Sequence, residues 1–278
     1  MAKERAHCIF AELSDGLART TANSSNRVLC PLCLQAYPED ALHLQEPELT
    51  EEHIIPESLG GKLVTLSCKS CNSTHGSKLD SHLVQMVRSQ DSLAGLGTLP
   101  LKGRIGIAGN QLPAQLDVRD RTFRVGGGKP AVVDEVRNMF QEGRIESIDL
   151  NFSLGYIPGR AYLALLRIAY LAIFRKLGYP YIFSPAAGVV REIISRSEHP
   201  PADLGNLIAE LKNIFPVPRD PLQLVSLGDI GAIVVVITLL ADSKRYYAVP
   251  MPDPGISADK VLETLRNAIT VLLASRPN

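Results

Sequence analysis

The chain has 278 residues, 45% of them hydrophobic and 21% charged, with 29 basic against 29 acidic side chains. That apolar content excludes wholesale disorder, and a net charge of zero excludes any argument for polyanion binding from overall charge. The charge is uneven along the chain: residues 1–100 hold 8 basic and 12 acidic side chains, and residues 101–278 hold 21 and 17.

The first ten residues, Met1 to Phe10, contain no long apolar core, so no secretory signal is expected. Residues 1–29 read as an entry segment, with the polar run Thr20–Asn26 as a loop. Residues 30–90 hold four of the five cysteines and read as a compact Cys/His module. Within it, Leu49–Ile55 and Leu63–Leu66 have the composition of short strands, with Gly60-Gly61 between them supplying a turn. A helix is expected from Cys71 or Asn72 to about Arg88, since Leu79, Leu83, Met86 and Val87 recur at helical spacing.

Residues 91–278 are expected to form a larger α+β domain. Residues 91–129 are rich in Gly and Leu with scattered charge and suit short strands and turns. Pro158-Gly159 precedes a helix over Arg160–Leu177, closed by Gly178 and apolar nearly all round, so it belongs at the centre of a core. Its Arg160 and Arg167 lie seven apart on one face, placed either to grip phosphate or to snorkel from a buried helix. Ile230–Leu240 and Arg245–Val249 read as a hairpin. Ser257–Ser275 reads as a last helix, with Ser257 as N-cap and one apolar stripe. The longest apolar runs, Ala161–Phe174 (broken by Arg167) and Ile230–Ala241, fall short of the roughly 20 residues of a membrane span, so no membrane association is expected.

Chemistry concentrates in residues 30–80. Cys30-Pro-Leu-Cys33 and Cys68-Lys-Ser-Cys71 are two Cys-x-x-Cys knuckles, the ligand type and spacing of a closed, structural, tetrahedral zinc site. Metal-bound thiolates in a reducing cytoplasm are expected rather than disulfides, and Cys8 is left as an ordinary small apolar residue. A purely structural knuckle has no need of the residues that lie beside it: Thr50-Glu-Glu-His53-Ile-Ile-Pro56, Gly60-Gly61, Asn72, His75 and Gly76.

Taken together, the Glu-His-Ile-Ile-Pro element and the Cys-x-x-Cys-Asn element, in this order and at this distance, resemble an HNH endonuclease of the ββα-metal fold. The resemblance covers roughly residues 28–85. It implies a small zinc-bound ββα module followed by the larger α+β domain, and a metal-dependent endonuclease hydrolysing nucleic-acid phosphodiester bonds, DNA first. In the resemblance His53 is the general base, while Glu52 and Asn72 are both catalytic and ligands of a catalytic Mg²⁺ or Mn²⁺, with His75 as a further candidate ligand. Strand alternation lets only one of Glu51 and Glu52 face such a site, and Glu52 is the one favoured. Lys69 and Lys78 are candidate phosphate contacts.

Two features depart from the family pattern. No Asn lies between Gly61 and Cys68 to orient the base, and the acidic residue is Glu rather than Asp. The competing reading is a catalytically inactive, zinc-finger-like nucleic-acid-binding module with a C-terminal sensor or partner domain. The expected partner is nucleic acid, with a homo-oligomer or an activating protein as further possibilities and restriction or phage defence as the setting by analogy.

Overall fold

A computed structural model describes residues 2–22, 26–107, 109–126, 129–145, 147–212, 218 and 220–274. They form an α+β protein whose sheets are all antiparallel. By packing they divide into two compact units, one of Met1–Val84, Ile157–Leu240 and Lys244–Asn278, the other of Gln85–Tyr156 and Ala241–Ser243.

The first unit opens with helix α1 (Ala2–Thr21), where the sequence reading had only an entry segment and where Thr20 and Thr21 close the helix rather than a loop. Residues 23–25 of the expected loop lie outside the described residues. Ile9, Phe10, Leu13 and Leu17 are the buried stripe of α1. Strands β1 (Arg27–Leu29) and β2 (Ala36–Pro38) form a two-stranded ladder, and β3 (Leu49–His53) and β4 (Val64–Cys68) form another.

Helix α2 (Lys69–His75) runs through a π-helical turn over Gly76–Asp80 into helix α3 (Ser81–Leu93), so the one expected helix is longer at both ends and underwound in the middle. Such insertions shift the phase of the residues that follow them.

The second unit is a four-stranded sheet of order β7-β6-β5-β8, built from β5 (Leu101–Ile107), β6 (Asn110–Asp117), β7 (Thr122–Val125) and β8 (Asp149–Phe152). Helix α4 (Pro130–Gln141) packs on it, with Val136 joining Ile105, Ile107, Leu112 and Ala114 in one apolar cluster. The opposite face presents Lys102, Arg104, Gln115 and Arg124, all exposed.

The remaining elements return to the first unit. Helix α5 (Pro158–Leu177) is its centre, with every residue from Leu163 to Phe174 buried. Short helix α6 (Tyr179–Ile182) and α7 (Pro185–Ser195) follow. A four-stranded sheet of order β10-β11-β12-β9 is built from β9 (Ala209–Leu211), β10 (Leu222–Leu227), β11 (Ala232–Leu240) and β12 (Lys244–Pro252). The expected hairpin is β11–β12, paired from Ala232↔Pro252 to Leu240↔Lys244, while β9 and β10 were not foreseen.

Helix α8 (Val261–Ala274) covers one sheet face through Ile269, against Ala209, Val234 and Ala248. Ser257 precedes a 3₁₀ turn and makes no side-chain capping bond there, and Ser275 lies outside the described residues. Among the described residues, no helix is long and apolar enough to cross a membrane.

The turn between β3 and β4 depends on its two glycines for different reasons. Gly60 has φ +86°, a left-handed backbone, whereas a Cβ on Gly61 would stand 1.8 Å from the Ile55 carbonyl oxygen. Backbone rather than a movable side chain blocks Gly61, so Gly61→Ala is expected to cost about 1–3 kcal/mol, as overpacking does. Gly76→Ala, which meets nothing within 4 Å at an ordinary helical φ, is expected to be neutral or slightly stabilising. Urea denaturation of the two variants checks the contrast, and equal stabilities would refute it.

Candidate functional site

The first knuckle is the turn that joins β1 to β2. Leu34 N–H donates to the Cys30 carbonyl at 2.8 Å, and Cys30 N–H donates to the Gln35 carbonyl at 2.9 Å. Leu34 takes φ 61°, a left-handed conformation unusual for a branched side chain, to close the turn. The second knuckle sits where β4 becomes α2: the Cys68 sulfur caps the helix by accepting from Cys71 N–H at 3.4 Å.

All four Sγ atoms lie within 4.8 Å of one another, and those of Cys33 and Cys68 are 3.8 Å apart. A tetrahedron with zinc–sulfur bonds of about 2.3 Å has edges of about 3.8 Å, so the quartet fits zinc. Mutual hydrogen bonding with Cys30, then burial, pushes the Cys68 thiol up to about 12. A bound dication reverses that preference by drawing the sulfurs to thiolate. Cys8 is exposed and apart from the quartet.

The knuckles position a hairpin. β3 pairs with β4 in the register Thr50↔Ser67, Glu52↔Thr65 and His53↔Val64. Alternation along β3 places Glu51 and His53 on one face, Thr50 and Glu52 on the other. The outward face is partly open: His53 is half-buried, and Glu51 is paired with Arg5 of α1, whose Nε donates at 3.1 Å. Asn72 of α2 closes the ββα frame, its Nδ2 donating to Thr50 Oγ1 at 3.0 Å and to the Glu51 carbonyl at 2.9 Å. Both bonds use the amide NH₂, which leaves Oδ1 as the atom for a ligand.

Glu52 lies on the inward face, 2% exposed, and accepts from Ser67 Oγ at 3.0 Å and from Arg167 Nη1. Arg167, in the middle of α5, is fully buried and also donates from Nη2 to Asp80 Oδ1 at 2.6 Å. It therefore neither snorkels nor reaches phosphate, the two roles its spacing suggested. Burial opposes the guanidinium charge, but Asp80 and Glu52 hold its pKa above the ordinary value. Burial pushes the Asp80 carboxyl up, with Arg167 pulling against it.

Asp80 enters this cluster at the end of the π-helical turn, a position that the expected uninterrupted helix does not predict. His75 is buried beside the same cluster. Burial, then the charge of Arg167, lowers its pKa to about 4, and its Nδ1 has no hydrogen-bond partner.

The other candidates sit apart. Lys69 pairs with Glu46 at 3.3 Å, Lys78 pairs with Glu198, and the His82 ring accepts from Ile157 N–H at 3.2 Å. Two tyrosines that sequence reasoning missed tie the zinc module to the helices behind it. Tyr170 donates to the Pro31 carbonyl at 2.9 Å, and Tyr179 donates to the Leu29 carbonyl at 3.1 Å while accepting from Leu29 N–H at 2.9 Å. The one sequence signal was the position of Tyr170, a polar group three residues after Arg167 on an otherwise apolar helix.

Residues 30–88 match the family model for HNH endonuclease. This segment is similar to HNH endonucleases. The match covers under a quarter of the chain, and no curated protein and no solved structure matches the chain. HNH nucleases use a divalent metal for catalysis, and apart from the cysteine quartet this segment presents no donor set for one in this arrangement. Among the described residues only the cysteine quartet brings three or more His, Cys, Asp or Glu ligands close enough for one ion. Glu52 is committed to Arg167 and Ser67, so Glu52, Asn72 and His75 do not stand as a ready donor set.

Proposed function

We propose that the HNH-like segment makes this protein a metal-dependent nuclease that hydrolyses phosphodiester bonds of DNA, in the restriction or phage-defence setting that the resemblance suggests. The observation that carries the reading is the bond from Asn72 across to β3 at Glu51, two residues from His53. It brings the Asn of the second motif beside the strand that bears the His of the first, inside a segment matched to a nuclease family.

Hydrolysis needs a water deprotonated as it attacks phosphorus, and a group to take that proton. His53 suits that task. Its ring stands on the outward face of β3 and makes no hydrogen bond among the described residues. Asn72 lies beside the same strand through the bonds of its NH₂ to Thr50 and Glu51, and its Oδ1 is the atom we assign to a ligand. Thr50 and Ser67 brace the frame from the inward side.

The test is cleavage of supercoiled plasmid, single strands and RNA with Mg²⁺ or Mn²⁺ by the zinc-loaded chain and by His53→Ala. Loss of the base is expected to slow metal-dependent cleavage by about 10²–10⁴-fold. Equal cleavage by the two proteins would remove His53 from the role. The burial of Glu52 against Arg167 favours one second reading, a nucleic-acid-binding module without catalysis. Retained DNA binding with no cleavage by the wild-type chain under any of these conditions would select it.

A further inference from the structure

Lys69 and Lys78, the candidate phosphate contacts of the HNH-like segment, are neutralised where they stand, by Glu46 and Glu198. The second unit holds cations that are not. It carries nine basic and nine acidic side chains over residues 85–156 and 241–243, so its net charge alone predicts nothing. The charges are sorted in space. Arg119, Arg137 and Arg144 each pair with an acidic neighbour, whereas Arg88, Lys102, Arg104 and Arg124 form no ion pair among the described residues.

The open face of the β7-β6-β5-β8 sheet puts Lys102, Gln115 and Arg124 in one cross-strand row and Arg104 in the next. A hollow of about 330 Å³ follows that row, lined by the same three side chains with Pro113 and Gly126. Lys102 also lines a second hollow of about 490 Å³, shared with Gln85, Arg88 and Ser153. No carboxylate lines either one. Asp117 and Asp149, the acidic residues of this sheet face, stand one row beyond the cations on either side. Lys102 and Arg124 are two strand spacings apart, about 10 Å. They therefore meet different phosphates of a strand that rises about 3.4 Å per nucleotide.

We propose that the two hollows, joined at Lys102, form a track for the sugar–phosphate backbone of DNA. Arg124, Lys102 and Arg88 are its phosphate contacts, with Gln115 and Gln85 as hydrogen-bond partners beside them. The identity of the polyanion rests on the nuclease reading above. Backbone contacts fix position and carry no sequence information, so the track is expected to hold any sequence equally.

Fluorescence anisotropy of a labelled random-sequence DNA duplex tests this, with the zinc-loaded full chain, no Mg²⁺ and several salt concentrations. The triple variant Arg88→Gln, Lys102→Gln, Arg124→Gln is expected to bind at least about tenfold more weakly than wild type. Its slope of log affinity against log salt is expected to fall by about 3, one for each lost phosphate contact. The control Arg119→Gln, Arg137→Gln, Arg144→Gln removes the same charge from the same unit and is expected to bind as wild type does. Lys102→Gln, Arg124→Gln alters only exposed side chains and carries the test, with a slope change of about 2, if the triple variant does not fold.

No binding by wild type, unchanged affinity and slope in the track variants, or an equal loss in the control overturns the proposal. Weakened binding by the track variants with no cleavage by wild type leaves the track standing and removes the nuclease reading. Cleavage by wild type with track variants that bind normally does the reverse.

Discussion

Cys68→Ser is expected to abolish zinc binding by the cysteine quartet and to melt the HNH-like segment. Structural zinc contributes on the order of 10–16 kcal/mol of apparent binding free energy in finger-sized peptides at neutral pH. Here the same four sulfurs join a segment whose strands are three to five residues long. Cys68 has two functions at once, as ligand and as the cap that accepts from Cys71 N–H at the start of α2. Its loss therefore loosens the knuckle and the helix that bears Asn72 and His75 together. Metal analysis is expected to show one zinc per wild-type chain and none in the variant, with a fall of several kcal/mol in stability by denaturant titration. The exposed Cys8→Ser serves as control and is expected to stay within about 0.5 kcal/mol of wild type. A chain stripped by a strong chelator that melts as before would show that the quartet packs without a metal.

Arg167→Met is the second large effect. It leaves the carboxylates of Glu52 and Asp80 buried without their partner, and breaking a buried pair in this way costs about 3–5 kcal/mol. For a chain of this size each kcal/mol moves the melting temperature by about 2–4 °C, so a loss on the order of 10 °C is expected. Met nearly matches the aliphatic stem, so packing changes little and charge dominates. The triple variant Arg167→Met, Glu52→Gln, Asp80→Asn is accordingly expected to recover most of the loss. If it melts as low as the single variant, the arginine acts through packing and hydrogen bonding, not through charge.

These two sites differ in how they could be read from the chain. The cysteine quartet was legible because spacing alone encodes it: two residues between ligands is the reach of a single turn, and β1, β2 and the β4–α2 junction supply those turns. The β3–β4 hairpin and α5 were legible for the same local reason, an apolar period with a glycine at the boundary. Helix α1 was passed over although Ile9, Phe10, Leu13 and Leu17 recur at helical spacing, because the polar run at its end drew the boundary too early.

The partner of Glu52 was not legible at all. Arg167 lies 115 residues further along the chain, and Asp80 meets it only through a π-helical turn that no residue in Gly76–Asp80 announces. A ligand that a motif places beside the base can thus be turned inward by a contact that the motif does not contain.

The order in which the chain emerges gives that distance a meaning of its own. The two knuckles and the His53 strand are complete once about 90 residues have been made, yet Arg167 and Tyr170 arrive with α5, and the second unit is synthesised in between. Domains generally fold as units during synthesis, at about 5–20 residues per second. The nascent segment therefore spends several seconds with its inward carboxylate unpaired by Arg167. On the ribosome, the positive charge that pairs the inward carboxylate is delivered by a helix made well after the hairpin that bears it.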